Sequence, residues 1–217
     1  PAALVPICHG CSTLVLIGDH RQLPPTVITE GARHGGLEKS LFVRLLQDSD
    51  DDSSGISQPI LLNEQRRMHP SISDFPNKHF YDGQIKDAMP MRATVPGIPW
   101  PRNGDVRVLL ADVASHDGEE RHGTSLFNKE EVDAVLTLLL HVLAGEDNLG
   151  AMRSYCQPEE MVVITPYASQ KDLLKRELSQ RIIASKIKPD LAALLERVRI
   201  STIDGIQGAE YDLVIFS

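Results

Sequence analysis

The sequence predicts an α/β fold, a parallel sheet flanked by helices. Three observations carry that expectation. Short continuous apolar runs, Leu14-Val15-Leu16-Ile17, Met161-Val162-Val163-Ile164 and Leu213-Val214-Ile215-Phe216, have the composition of strands buried on both faces. From about Leu37 onward such runs alternate with stretches at helical spacing, the pattern of right-handed crossovers between parallel strands. Four expected strands end in polar loops, at Gly18, Asn63, Thr165 and Asp204, which is how an α/β sheet gathers ligand-binding groups along its carboxyl edge.

Taken in order, residues 1–9 have helical character and Gly10 supplies a stop. Gly18 permits a tight turn off the first apolar run, and Pro24-Pro25 stiffen the exit, so Asp19, His20, Arg21 and Gln22 are held at the sheet edge. Leu37, Leu41, Phe42, Leu45 and Leu46 fall at helical spacing. Residues 48–55, acidic and serine-rich, read as a loop whose charge serves solubility. Ile60-Leu61-Leu62 reads as a buried strand that ends abruptly in Arg66-Arg67 and Pro70. Residues 70–81 read as a short helix that Pro76 breaks or kinks, and residues 87–104, with the only tryptophan, Trp100, as a long connection.

Residues 106–111 read as a strand. Asn128 caps a helix, with Glu131 at the capping-box position and Val132, Val135, Leu136, Leu139, Leu140 and Leu143 on its buried face. The strand at 161–164 ends in Thr165-Pro166-Tyr167, and residues 170–183 form a helix with Leu173, Leu174, Leu178 and Ile182 in register. A strand at 198–203, a loop at 204–210 and a last strand at 213–216 complete the pattern, without internal repeats.

At 217 residues and 41% hydrophobic composition the chain can bury the core of one large domain, or of one domain and a piece of another, which excludes global disorder. Its net charge of −8 excludes a surface coated in basic residues and leaves room for a local basic groove. No apolar run approaches the roughly 20 residues of a membrane span, residues 1–217 do not read as carrying a signal peptide, and no membrane partner is expected; an intracellular setting, cytoplasmic or nuclear, is expected. Three cysteines, an odd count, point to a reducing compartment. Cys8 and Cys11 form a lone C-x-x-C, too little for zinc, and no metal site is expected. The first and last five residues read as interior stretches of a longer protein.

Two adjacent arginines after a strand are, by themselves, most simply a solvated surface pair. A guanidinium fork is also the side chain best matched to phosphate oxygens. The company of the other polar loops turns the reading toward a site.

Those loops resemble a known family. Gly18-Asp19-His20-Arg21-Gln22-Leu23-Pro24-Pro25 looks like motif III of superfamily 1 helicases, Gln65-Arg66-Arg67-Met68-His69-Pro70 like motif IV, and residues 201–210, continuing to 217, like motif V. Ile164-Thr165-Pro166-Tyr167, with Gln170, matches a further element of the family. The branch resembled is that of the up-frameshift nonsense-decay helicase, senataxin and the immunoglobulin-mu-binding helicase. The resemblance implies RecA-like P-loop NTPase domains with ATP in the cleft between them. Residues 1–29 would end the first domain and residues 30–217 would form most of the second.

The resemblance also assigns roles. It implies a 5′-to-3′ helicase or translocase that uses ATP and Mg²⁺ on single-stranded RNA or DNA. The phosphate-cradling G-x-x-x-x-G-K-[ST] loop is nowhere in the sequence. The magnesium-holding Asp-Glu pair and the arginine-bearing motif VI are expected outside residues 1–217. Gln22 would reach the γ-phosphate or orient the attacking water, and Arg67 would stabilise the γ-phosphate in the transition state, both as catalytic residues. Gln65, Arg66, Gly208 and Glu210 would bind nucleotide, Glu210 through the ribose hydroxyls. Gly205 and Gly208 would let the backbone approach its ligands, and Asp19 would tie the motif III turn together. Thr165, Tyr167, Ser201 and Thr202 would hold the nucleic-acid strand by its phosphates, without reading sequence. One departure stands out: the family usually has Tyr, stacked on adenine, where this chain has Arg66. Guanidinium can stack on a base as well. Met68 and His69 are expected to pack under the loop. The alternative is a helicase-like binding module with little turnover.

Overall fold

A computed structural model describes residues 4–48, 58–88, 95, 98–113, 118–145, 156–184 and 187–217. The chain forms two compact units, Pro1–Glu64 with Lys78–Lys86, and Gln65–Asn77 with Asp87–Ser217.

In the first unit the helices are short: α1 (Leu4–Cys8), α2 (Glu30–His34) and α3 (Leu41–Asp48). The Ser40 hydroxyl starts α3 by accepting from the Val43 N–H at 3.2 Å. The buried strand expected at 14–17 does not form. The run is irregular, and Ile17 is 90% exposed. An apolar run becomes a strand only when neighbours complete its ladder and cover its faces, and none among the described residues does so.

The same correction applies to 60–62 and 106–111, where Ile60 and Leu110 are 89% and 91% exposed. The arginine pair is therefore carried not by a buried strand but by the short β1 (Glu64–Gln65) and the turn before α4 (Pro70–Phe80). That helix runs on through Pro76 rather than ending there. It is followed by β2 (Lys86–Asp87), which is paired with β1. Of the expected acidic loop, Asp48 closes α3 and residues 49–57 lie outside the described residues. Within the connection at 87–104, residues 89–94 and 96–97 also lie outside. The Trp100 indole donates to the Val95 carbonyl at 2.8 Å and packs on the core.

The second unit holds that core. Its elements are the hairpin β3 (Glu120–His122) and β4 (Ser125–Phe127), then α5 (Lys129–Leu143), β5 (Met161–Thr165), α6 (Ala168–Ala184), α7 (Pro189–Arg197), β6 (Arg199–Thr202) and β7 (Leu213–Phe216). The sheet order is β6-β5-β7, and both pairings are parallel. Thr165 lies opposite Thr202, and Ile164 opposite Phe216, so the loops after all three strands leave one edge. Leu136, Leu139, Val142 and Leu143 of α5 pack with Met161 and Val163 of β5, Leu174 of α6 and Leu195 of α7, all buried. β5 is buried on both faces, as its continuous apolar run predicts. β7 is not: Leu213 and Ile215 point inward, while Val214 and Phe216 are exposed.

The hairpin and α7 carry weaker signals. Gly123, with φ of 62°, opens the two-residue hairpin turn in the way primed turns require. Pro189 occupies the first turn of α7, and Leu191 and Leu195 are its buried stripe.

Candidate functional site

In the first unit the motif III turn is built around Asp19. Its Oδ1 accepts from the Arg21 N–H at 3.0 Å. Its Oδ2 accepts from Gln22 Nε2 at 2.8 Å and from the Tyr81 hydroxyl. Arg21 donates to the Phe80 carbonyl and lies 3.6 Å from the Asp82 carboxylate. The His20 ring stacks on Phe42, with centroids 6.1 Å apart and planes 10° apart. Burial pulls the Asp19 pKa up, but the bonds from Tyr81, the Arg21 backbone and Gln22, helped by the charge of His20, hold it below the ordinary value. Burial first, then the bond to Asp19, pushes the Tyr81 hydroxyl up to about 12. With its amide nitrogen on a carboxylate, Gln22 turns its carbonyl oxygen elsewhere, where it can accept from water.

In the second unit the motif IV turn is built around the Gln65 amide. Its Oε1 accepts from the N–H groups of Arg67 and Met68, at 2.9 and 2.7 Å. Its Nε2 donates to the Met68 carbonyl at 2.6 Å and to the Asp87 carboxylate. Asp87 Oδ1 also accepts from the buried Ser73 hydroxyl at 2.7 Å. Gln65 thus spends its amide shaping the loop. His69 caps α4 by accepting from the Ser71 N–H at 3.2 Å, and Met68 and His69 are half-buried. Arg66 and Arg67 are exposed.

The Arg67 side chain meets motif V. Its Nε donates to Glu210 Oε2 at 2.9 Å, across 143 residues of sequence and within one unit. Gly208, with φ of 83°, makes the left-handed turn before Glu210. Gly205 packs closely: a Cβ there would stand 2.4 Å from Ser201 Oγ, so that hydroxyl would have to turn away, and 3.4 Å from Thr202 Oγ1. Arg199, which sequence reasoning passed over, pins the loop by donating to the Gly205 carbonyl at 2.7 Å and to the Tyr211 hydroxyl at 3.0 Å.

At the strand ends, Ser201 and Thr202 are half-buried, and Tyr167, 36% exposed, precedes α6. Thr165 is 0% exposed, and its hydroxyl accepts from the Tyr167 N–H at 3.3 Å. Its side chain is therefore not on a surface where a strand could lie. Among the described residues no three or more His, Cys, Asp or Glu gather as metal ligands.

Sequence reasoning also missed Tyr81 and Asp87. Tyr81 just follows α4 and Asp87 ends the two-residue β2, and the partner of each, Asp19 or Gln65, lies 62 or 22 residues away. No local pattern marks such residues.

Residues 37–217 match a family model described as an AAA domain, and residues 1–30 match a second model of the same description. The chain belongs to the AAA domain family. This AAA domain chain is similar to the ATP-dependent helicase NAM7 of Saccharomyces cerevisiae, 31% identical over 223 residues that cover 100% of the chain and 20% of the relative. It is similar to the regulator of nonsense transcripts 1 homolog of Drosophila melanogaster, 31% identical over 100% of the chain and 17% of the relative. It is also similar to helicase sen1 of Schizosaccharomyces pombe, 32% identical over 99% of the chain and 11% of the relative. The AAA domain chain thus falls in the up-frameshift and senataxin branch that its motifs resemble, and it spans 20% or less of the length of these three relatives.

Proposed function

We propose that the protein containing this chain is an ATP-dependent helicase or translocase that moves along single-stranded RNA or DNA, in an intracellular setting. Three lines support the reading: the intact motifs, the AAA domain matches and the helicases to which the chain is similar. The observation that carries it is the Arg67–Glu210 pair. A cation suited to phosphate and a carboxylate suited to ribose hydroxyls come from motifs far apart in sequence and stand 2.9 Å apart on one surface. A bound nucleotide would give Arg67 phosphate oxygens in place of the carboxylate and give Glu210 two hydroxyls to accept from.

In this reading Gln22 orients the attacking water through its free-facing carbonyl oxygen, and Arg67 stabilises charge on the transferring phosphoryl group. Arg66 stacks on the base, Gly208 shapes the turn beneath the nucleotide, and Gln65 acts through the loop, because its amide is filled by Arg67, Met68 and Asp87. Tyr167, Ser201 and Thr202 hold the strand, and Thr165 shapes the turn that presents Tyr167. The residues that would hold Mg²⁺ are expected outside residues 1–217. A division into residues 1–29 and 30–217 is supported by the separate matches at 1–30 and 37–217.

Steady-state ATPase kinetics of the full-length protein test this, with and without single-stranded RNA or DNA. Turnover should be stimulated by the strand. Arg67→Lys should lower kcat by on the order of 10³-fold, since a point charge cannot reproduce the fork. Arg66→Ala should mainly raise KM for ATP, and Arg66→Tyr should restore it. Normal kcat in Arg67→Lys together with its loss in Arg66→Ala would make Arg66 the catalytic arginine. Binding of the strand with no turnover would identify a clamp instead of a motor.

A further inference from the structure

We infer that Tyr81 is a positioning residue for ATP hydrolysis, locking the Asp19 carboxylate that fixes the Gln22 amide. The inference rests on the reading of Gln22 as the residue that orients water.

Tyr81 lies outside every motif of the chain, 62 residues after Asp19, yet its hydroxyl donates to Oδ2, the same oxygen that Gln22 Nε2 reaches at 2.8 Å. An ionised carboxylate only accepts, so the amide must turn its nitrogen toward it, and the reverse orientation would set two acceptors face to face. The hydroxyl fixes the plane of that carboxylate and so the direction in which the Gln22 carbonyl oxygen points. Without it, Asp19 keeps the Arg21 N–H on Oδ1 and, on Oδ2, only the exposed Gln22 amide that it is there to fix.

The neighbours of Tyr81 show that its place is not accidental. The Phe80 carbonyl and the Asp82 carboxylate both hold Arg21, so consecutive residues 80–82 all grip the 19–22 loop. A bond from the Gln84 N–H to the Tyr81 carbonyl, 2.9 Å, stiffens the gripping turn. Removing the hydroxyl alone leaves the Arg21 contacts and the His20–Phe42 stack to keep the loop folded. The loss should therefore appear in the chemical step and not in folding or ATP binding.

The test is a double-mutant cycle on the full-length protein with saturating single-stranded nucleic acid, comparing Gln22→Ala, Tyr81→Phe and the double variant. Tyr81→Phe is expected to lower kcat roughly tenfold, the worth of one positioned hydrogen bond, with KM for ATP unchanged and the fold retained. In the Gln22→Ala background the Tyr81 change should have little further effect, because it acts through the missing amide. Normal kcat in Gln22→Ala would overturn the reading of Gln22 and the inference with it. A drop in Gln22→Ala beside normal kcat in Tyr81→Phe would overturn the inference alone. So would a Tyr81→Phe effect of the same size in both backgrounds. Should Tyr81→Phe fail to fold, Asp19→Asn takes its place in the cycle, and the same non-additivity with Gln22→Ala is required.

Discussion

At the scale of single residues, two hydroxyls illustrate how placement overrides residue type. Tyr81 and Thr165 both carry a group that could meet a ligand, and both spend it inside the protein, on Asp19 and on the Tyr167 N–H. For Tyr81 the consequence is a titration. Its pKa is raised from 10.0 to about 12, by burial and then by the bond to Asp19. A raised folded-state pKa means stability that is fully present below the unfolded value and lost as pH rises through the folded one, so the loss falls between 10.0 and about 12. The difference in phenolate absorbance between wild type and Tyr81→Phe should therefore appear near 12, and Asp19→Asn should move it down. A midpoint at the ordinary value would show that the Asp19 contact is absent in solution. For Thr165 and Thr202, which share residue type and stand opposite each other in register, opposite outcomes are expected. Thr165→Ala should cost about 1–2 kcal/mol of stability, by thinning the packing at a buried position and removing the bond from the Tyr167 N–H, with strand affinity little changed. Thr202→Ala should weaken single-strand binding about equally across sequences, with stability intact. Denaturant unfolding and titrations on unrelated oligonucleotides separate the two, and the reverse pattern would reject the burial argument.

At the scale of elements, the sheet edge is held to the helices by one buried amide. Gln170 of α6 accepts from the Asn128 N–H at 2.9 Å and donates to the Asn128 carbonyl, to Glu131 and to Ser217 Oγ. This ties the start of α5 to the end of β7. Asn128 caps α5 as its sequence position predicts, accepting from the Glu131 N–H at 3.1 Å. Glu131 instead turns its carboxylate to Gln170 and Ser217. Gln170→Leu keeps the volume and strips the bonds that Gln170 itself makes, leaving buried polar groups unpaired. A loss of about 2 kcal/mol or more is expected in chemical denaturation. A loss no larger than that of a surface substitution, about 0.5 kcal/mol, would mean that water replaces the amide without cost.

At the scale of the whole molecule, phosphoryl transfer depends on positioning and charge from several groups at once. In the function proposed above the chain would contribute Gln22 and Arg67, but residues 1–217 contain no glycine-rich loop with its lysine to cradle the phosphates. The isolated 217-residue chain is therefore expected to show no ATPase activity stimulated by nucleic acid. Steady turnover by the purified chain, abolished by Arg67→Ala, would contradict this.

What the sequence determined by itself is the structure that depends on near neighbours. α5 and α6 follow from apolar spacing, α5 from its Asn128 cap, and β5 from a continuous apolar run. The family was likewise legible, because motif spacing survives without a fold. Tertiary structure alone decided which apolar runs become strands: residues 161–165 find parallel partners on both sides, while residues 14–17, 60–62 and 106–111 find no ladder among the described residues. It also decided that Arg67 meets Glu210, that Tyr81 meets Asp19, and that Thr165 is enclosed. The physical reason is common to these cases. Capping and helical periodicity are settled within a few residues of chain, whereas a ladder, an ion pair or a burial depends on a partner that only folding brings near.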